Sequence, residues 1–221
     1  MSMSFRRTAV ISSIFAIWAS AVSAATVLNG SFEDIGGQSL NTGGWSHFPS
    51  IPGWTGVPNV EIQSNKTLGS IDAHHGDQYV ELDTNQDASI YQDIWLTSGT
   101  YKLSFWYSPR VNNLSTSTND MLYSVGAGSA LLSGTINGAP NPDYPHGAWT
   151  NVTGIFVVDA AKMVRLMFTA SGGSHYSGCG NCGALIDKVS ISAIPVPASG
   201  LLLLGAFAVL SGARLRQTKP L

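Results

Sequence analysis

The segment Tyr101-Lys-Leu-Ser-Phe-Trp-Tyr107 alternates between apolar and polar residues from Tyr101 to Phe105. Tyr101, Leu103, Phe105 and Tyr107 fall on one face, and Lys102, Ser104 and Trp106 on the other. A period of two is the pattern of a strand with one buried face. Shorter versions run through Gln78 to Leu82, Ala88 to Leu96, Met121 to Val125, Val152 to Val158, Met163 to Thr169 and Leu185 to Ile191. Helical periodicity is scarce. Ser98-Gly99 and Asp159-Ala160-Ala161 read as turns, the second leading into Val164, Leu166 and Phe168 as a buried stripe. Seven or more short strands in one domain predict an all-β, antiparallel sandwich. Gly36 to Gly56, Val111 to Asp120 and Gly134 to Ala148 read as irregular loops, and there is no long internal repeat.

The two ends stand outside that pattern. Arg6 and Arg7 precede an apolar run from Ala9 to Ala21, and Val22-Ser23-Ala24 places small residues where signal peptidase requires them. Residues 1–24 are therefore expected to be a signal peptide cut between Ala24 and Ala25. The arginine pair also raises a twin-arginine route, which its flanks support poorly. At the other end, Ile194-Pro-Val-Pro-Ala-Ser-Gly200 is followed by Leu201 to Ala213 without a charge, then by Arg214, Arg216 and Lys219. Ala198 to Ala213 spans roughly 24 Å as a helix, short of a bilayer core of about 30 Å, so its flanks must contribute. The basic tail fits a cytoplasmic flank.

Pro motif, apolar helix and basic tail, in that order, resemble the PEP-CTERM sorting signal of Gram-negative bacteria, in its Val-Pro-x-Pro-Ala form. The resemblance implies a cut by an exosortase near Val196, Pro197 and Ala198, after a transient inner-membrane intermediate. It then implies release to the extracellular matrix or attachment at the cell surface. An uncut C-terminal anchor and a buried helix of the globular domain are the alternatives. The chain thus divides into 1–24, a domain at 25–194, and a sorting segment at 195–221.

The domain holds all thirteen acidic residues of the chain against six basic ones, a formal charge of −7. Such a surface excludes nucleic acid as a natural partner. Cys179 and Cys182 are the only cysteines. In an exported chain they are first expected to form a disulfide that stiffens a tight turn. Metal binding, with His175 as a third ligand, and a redox role are the alternatives.

The order of elements within the domain is also familiar. Asn29-Gly-Ser-Phe-Glu33 opens it, followed by Pro52-Gly-Trp54, Val60-Glu61-Ile62 and Gly76-Asp77-Gln-Tyr-Val-Glu-Leu82. Ile90-Tyr-Gln-Asp-Ile94 and the Tyr101 strand follow, and Cys182-Gly-Ala-Leu-Ile-Asp187-Lys-Val-Ser-Ile191 closes it. This resembles the β-sandwich family long carried as DUF 642, known from plant cell walls and exported bacterial proteins. It is similar, more loosely, to galactose-binding-like carbohydrate-binding modules. The resemblance implies an antiparallel jelly-roll β-sandwich, flanked here by an N-terminal signal helix and a C-terminal transmembrane sorting helix. It also implies polysaccharide binding without catalysis. In related modules a structural calcium sits where first and last strands meet; carried over by position, Glu33 and Asp187 would ligate it, with Asp77 a weaker candidate. Without a cation, Glu33 would cap a turn and Asp187 would bond neighbouring backbone.

Sugar rings need flat aromatic faces, with amides and carboxylates for the hydroxyls. Trp45, Trp54, Trp106 and Tyr144, with His47, are the candidates, each weighed against a place in the core; Trp95 and Trp149 are expected in the core. Asp72-Ala-His74-His75-Gly-Asp77 could be a metal cluster or a solvated loop. A glycosidase would need facing carboxylates, for which Glu61, Glu81 and Asp83 are available, though Glu81 and Asp83 read equally as a solvated edge. No nucleophile elbow, zinc-protease or phosphate-loop motif appears. The four Asn-x-Ser/Thr sequons, at Asn29, Asn65, Asn113 and Asn151, say little in such a composition. The expectation is an exported, non-catalytic surface or biofilm-matrix protein that binds exopolysaccharide or cell-wall glycan; the alternative is a structural or adhesive matrix protein acting through protein contacts.

Overall fold

The computed structural model describes residues 27–83, 86–110, 119–143, 145–171 and 183–195. These form ten strands: β1 Trp45–Ile51, β2 Trp54–Ser64, β3 Gln78–Glu81, β4 Ser89–Leu96, β5 Gly99–Ser108, β6 Met121–Ala127, β7 Ser129–Ile136, β8 Thr150–Val158, β9 Lys162–Ala170 and β10 Leu185–Ala193. All pairings are antiparallel. The ladder runs β7-β6-β9-β4-β2-β3-β10-β5-β8, with β1 added to β2. The expected signal peptide with its Ala24/Ala25 cut, the sorting segment at Val196, Pro197 and Ala198, the Cys179–Cys182 bridge and Tyr144 lie outside the described residues. Among the described residues no helix is long and apolar enough to cross a membrane.

The ladder is folded into two layers, because strands far apart along it meet through their side chains. The Phe105 ring on β5 packs 4.9 Å from Phe168 on β9 and 5.2 Å from Tyr123 on β6. β2 turns the corner. Thr55 to Val57 pair with β4 in the back layer, and Glu61 to Ser64 pair with β3 in the front layer. Between them the chain folds on itself: a Cβ added to Gly56 would lie 2.1 Å from the Asn59 carbonyl carbon. Pro58, which has no N–H to give a ladder, stands in that irregular stretch, where proline is tolerated in a sheet. At the far edges the layers approach again, with Leu132 of β7 over Gly154 of β8.

The period-two reading places the core correctly. Tyr101, Leu103, Phe105 and Tyr107 all point inward, as do Val164, Leu166 and Phe168. Three expectations are corrected. The stretch 36–56 carries β1 and the start of β2 rather than one long loop, and β7 runs into the start of the expected loop at 134. Trp95 is not core: it is 61% exposed, because the inward set of β4 is Ile90, Gln92, Ile94 and Leu96. Gln92, a polar residue in that set, is buried because its amide closes three bonds to Leu28 and Gly53 backbone, at 2.7–2.9 Å.

The opening motif is locked against the closing strand. Val189 donates its N–H to the Gly30 carbonyl at 2.7 Å. A Cβ on Gly30 would come 2.0 Å from the Val189 oxygen, so only glycine fits. Trp54 is 1% exposed, lies 5.3 Å from Phe32 and 6.1 Å from Phe168, and donates its indole N–H to the Asn29 carbonyl at 3.0 Å. It seals the sandwich end and has no face left for a ligand, which corrects its candidacy as a sugar platform. Trp54→Ala is expected to cost about 3–5 kcal/mol in urea unfolding. Trp54→Phe, which keeps most of the packing and loses the hydrogen bond, is expected to cost clearly less.

Candidate functional site

Alternate residues of the front layer point away from the core, and on three adjacent strands they are polar. Val60, Ile62, Val80 and Leu82 are core, so Glu61 and Gln63 of β2 and Tyr79 and Glu81 of β3 face outward. Register then lines them up. His47 stands opposite Glu61, Glu61 opposite Glu81, and Glu81 opposite Leu185. The neighbouring row places Trp45 opposite Gln63 and Gln63 opposite Tyr79.

Two carboxylates directly across a strand pair repel each other. Here a chain of donors holds them. Gln63 Nε2 donates to Glu61 Oε1 at 2.9 Å and also to Glu81 Oε2. Arg110 Nη1 pairs with Glu81 Oε1, which also accepts the Gly183 N–H at 2.8 Å. His47 Nε2 is 2.7 Å from Glu61 Oε2, and the Tyr79 hydroxyl donates to Gln63 Oε1 at 3.4 Å. Glu81 is completely buried and Glu61 nearly so, whereas the His47 and Arg110 side chains keep 21% and 18% of their surface. Glu81 and Asp83, at 0% and 1% exposure, are therefore no solvated edge. Burial pushes Glu61 up to about 7, and burial together with the Glu61 charge pushes Glu81 up to about 8. Burial moves His47 the other way, below its ordinary value, so it is neutral at pH 7.

Residues 65–77 form a strap across the rest of this face. Ile71 is buried against Tyr79 and Leu185, with Leu68, Ala73 and Trp149 beside them. Trp149 donates its indole N–H to the Asp72 carbonyl at 2.9 Å. His74 stacks on Trp106 at 3.6 Å with the rings 16° from parallel. Trp106 thus faces outward, as the alternation requires, but its platform is taken by His74. The Asp72-to-Asp77 segment is accordingly neither a metal cluster nor a wholly solvated loop; no group of three His, Cys, Asp or Glu among the described residues could hold a metal.

Glu33 and Asp187 anchor the strap's end. Glu33 Oε1 accepts the N–H groups of Asp77 and Gln78, both at 3.0 Å. Asp187 Oδ2 accepts the His75 N–H at 2.7 Å, and Oδ1 accepts that of Lys188. Gly76, at φ +83°, allows the close pass: a Cβ there would lie 2.3 Å from Glu33 Oε1. Burial first, and the Glu33 charge as well, raise Asp187 to about 7 against its backbone donors. Both oxygens of Asp187 and one of Glu33 thus accept N–H groups. The Glu33 charge beside Asp187 is the one feature that a cation would relieve.

Of the aromatic candidates, Trp45 remains open. It is 39% exposed at the outer edge of the layer, with its ring 5.2 Å from His47. Gln63, Tyr79 and Arg110 had not been singled out from the sequence. The signal for the first two was present, since Glu61 and Gln63 alternate with Val60 and Ile62, and Tyr79 and Glu81 with Val80. Arg110, beyond the end of β5, carries no such pattern.

A carboxylate held above its unfolded value binds its proton more tightly in the folded state. Its contribution is full below about pH 4.5 and is lost as pH rises through the folded value. Stability is therefore expected to fall between about pH 5 and 8.5, read as Tm across buffers. Glu81→Gln removes the costliest ionisation and is expected to flatten the alkaline part of that fall by on the order of 1–3 kcal/mol. An unchanged slope would assign the fall to Glu61 and Asp187 instead.

No family model matches the chain, and no curated protein matches it. Among solved structures it is similar to TmCBM61 in complex with β-1,4-galactotriose, at 14% identity and a TM-score of 0.46, over 76% of this chain and 97% of that one. It is also similar to the CBM22-1 xylan-binding domain of Paenibacillus barcinonensis Xyn10C, at 12% identity and a TM-score of 0.42, over 80% and 99% of the two chains. A family 16 carbohydrate-binding module matches at 13% identity and a TM-score of 0.40, over 60% of this chain and 84% of that one.

Proposed function

We propose that this domain is a non-catalytic, jelly-roll carbohydrate-binding domain, and that its site is the open end of the front layer at Trp45, His47, Glu61 and Arg110. The observation that carries the reading is the recessed polar row ending at an exposed indole. A fixed carboxylate, a neutral imidazole and a guanidinium stand within one or two strands of an aromatic face. That combination suits a sugar, whose ring C–H groups stack on aromatic faces while its hydroxyls seek hydrogen-bonding partners. The row is held in place before any ligand arrives, so ordering it costs little on binding. Export through the signal peptide, sorting by an exosortase, and a place at the cell surface or in the extracellular matrix belong to the same proposal; an exopolysaccharide or cell-wall glycan is the partner such a location supplies.

One observation favours a second reading. Two opposed carboxylates with raised values are what a glycoside hydrolase would use. Against it, Glu81 has no exposed surface, and both its oxygens are engaged by Gln63, Arg110 and Gly183. A catalytic carboxyl must reach its substrate; Glu81 supports the row instead.

Trp45→Ala is expected to weaken binding to the best-bound member of a polysaccharide panel by about 10-fold or more, equivalent to about 1.4 kcal/mol. Trp106→Ala, whose platform His74 already covers, is expected to change it about 2-fold or less. The same mixtures are expected to release no new reducing ends; release that stops in Glu61→Gln would establish the hydrolase. Folded protein that binds no member of the panel would sink the glycan reading.

Calcium at Glu33 and Asp187 is proposed separately, and no step above depends on it. Metal-stripped protein is expected to gain thermal stability with added calcium, and Asp187→Ala to lose that gain. Equal melting with and without calcium would remove the metal.

A further inference from the structure

The open end of the row presents acceptors. His47 Nε2 lies 2.7 Å from the Glu61 carboxylate, and once that carboxylate is ionised Nε2 carries the imidazole proton and Nδ1 is left as an acceptor. Glu61 and Glu81 stand behind it, with buried Asp83 next on the same strand face. Carboxylates accept hydrogen bonds and, when ionised, donate none. The one guanidinium at the site, Arg110, is paired with Glu81. Two more of the domain's six basic side chains are also held by carboxylates, Lys162 by Asp159 and Arg165 by Asp93. The remaining three, Lys66, Lys102 and Lys188, stand against an acidic excess of seven charges.

We infer that the site selects uncharged glycans, recognised through their hydroxyl donors, and rejects polysaccharides built of uronic acids. The inference rests on the glycan-binding reading and adds its ligand class. Two effects act in the same direction. A sugar hydroxyl offers a proton to the imidazole acceptor, whereas a uronate carboxylate meets it with lone pairs only. The uronate charge also enters a field of its own sign, at a partly exposed edge where added salt can screen it. Above about pH 8, where Glu81 is ionised, Arg110 does not reverse this, because its charge is balanced by Glu81.

The test is isothermal titration of full-length protein, at about pH 8.5 so that the carboxylates are ionised. The neutral probes are galactan, xylan and mannan; the anionic probes are polygalacturonate and alginate. At least one neutral polymer is expected to bind about 10-fold or more tighter than either uronate. Raising salt from about 20 mM to about 300 mM shortens the screening length and is expected to narrow that gap by improving uronate binding. Glu61→Gln, which keeps the shape and removes one charge, is expected to narrow it too; the salt series stands should that variant not fold. Uronate binding as tight as neutral binding, or tighter, overturns the selectivity and leaves the glycan site standing. Binding to none of the five by folded protein overturns both.

Discussion

The molecule depends on one strand changing layers. β2 enters beside β4 and leaves beside β3, with the break at Gly56 to Asn59. A continuous ladder thereby becomes two facing layers without a free edge at the corner, where unpaired backbone would otherwise be costly. The same corner sets which side of the front layer Glu61 and Gln63 face. A one-residue slip there would turn both into the core and turn Val60 and Ile62 out to the row. Fold and site are therefore fixed by one piece of backbone geometry.

The polar row departs from what stability alone would select. Burying two carboxylates side by side costs more than an apolar pair of the same volume. The cost is limited by complete pairing: the Gln63 amide bridges the two acids, Arg110 and Gly183 satisfy Glu81, and His47 satisfies Glu61. Removing one donor would leave a charge without a partner in a place water does not reach. Such a network is rigid because each member is held by at least one other. Rigidity of this kind serves a recognition surface, which gains from groups already placed.

Much of the fold was legible because it rests on a local rule. Alternation in 101–107 and 163–169 placed the inward residues correctly, since in a strand with one buried face side chain direction follows residue parity. β1 and β7 escaped notice because their patterns are diluted by Ser, Gly and Pro, as in Trp45-Ser-His-Phe-Pro-Ser-Ile51. Trp95 was misplaced for a different reason: residue size suggested burial, while the parity set by Ile94 and Leu96 demanded exposure. The acids of the site were visible, but their burial was not. It arises from tertiary cover, with Arg110 and Gly183 reaching Glu81 from far along the chain. The opening and closing motifs proved to be one contact, Gly30 against Val189, which no single segment reveals.

The strap at 65–77 decides which part of the front layer stays exposed. Ile71 covers Tyr79 and Leu185, and His74 covers Trp106, so the middle of the front layer is closed by the protein's own side chains. The strap is fastened at several points, by Asn65 to Asp77 and Ala73, by Glu33 to Asp77 and Gln78, and by Asp187 to His75. Covering the centre moves exposure to the outer edge, where β1 carries Trp45 and His47. An edge strand normally invites pairing with another chain. Here the edge also carries an indole and an imidazole backed by a fixed carboxylate, so its side chains offer a ligand more specific contacts than its backbone does. The buried acids and the covering strap thus have a joint effect: among the described residues, they leave Trp45 and His47 at the outer edge as exposed side chains beside a row of buried acids.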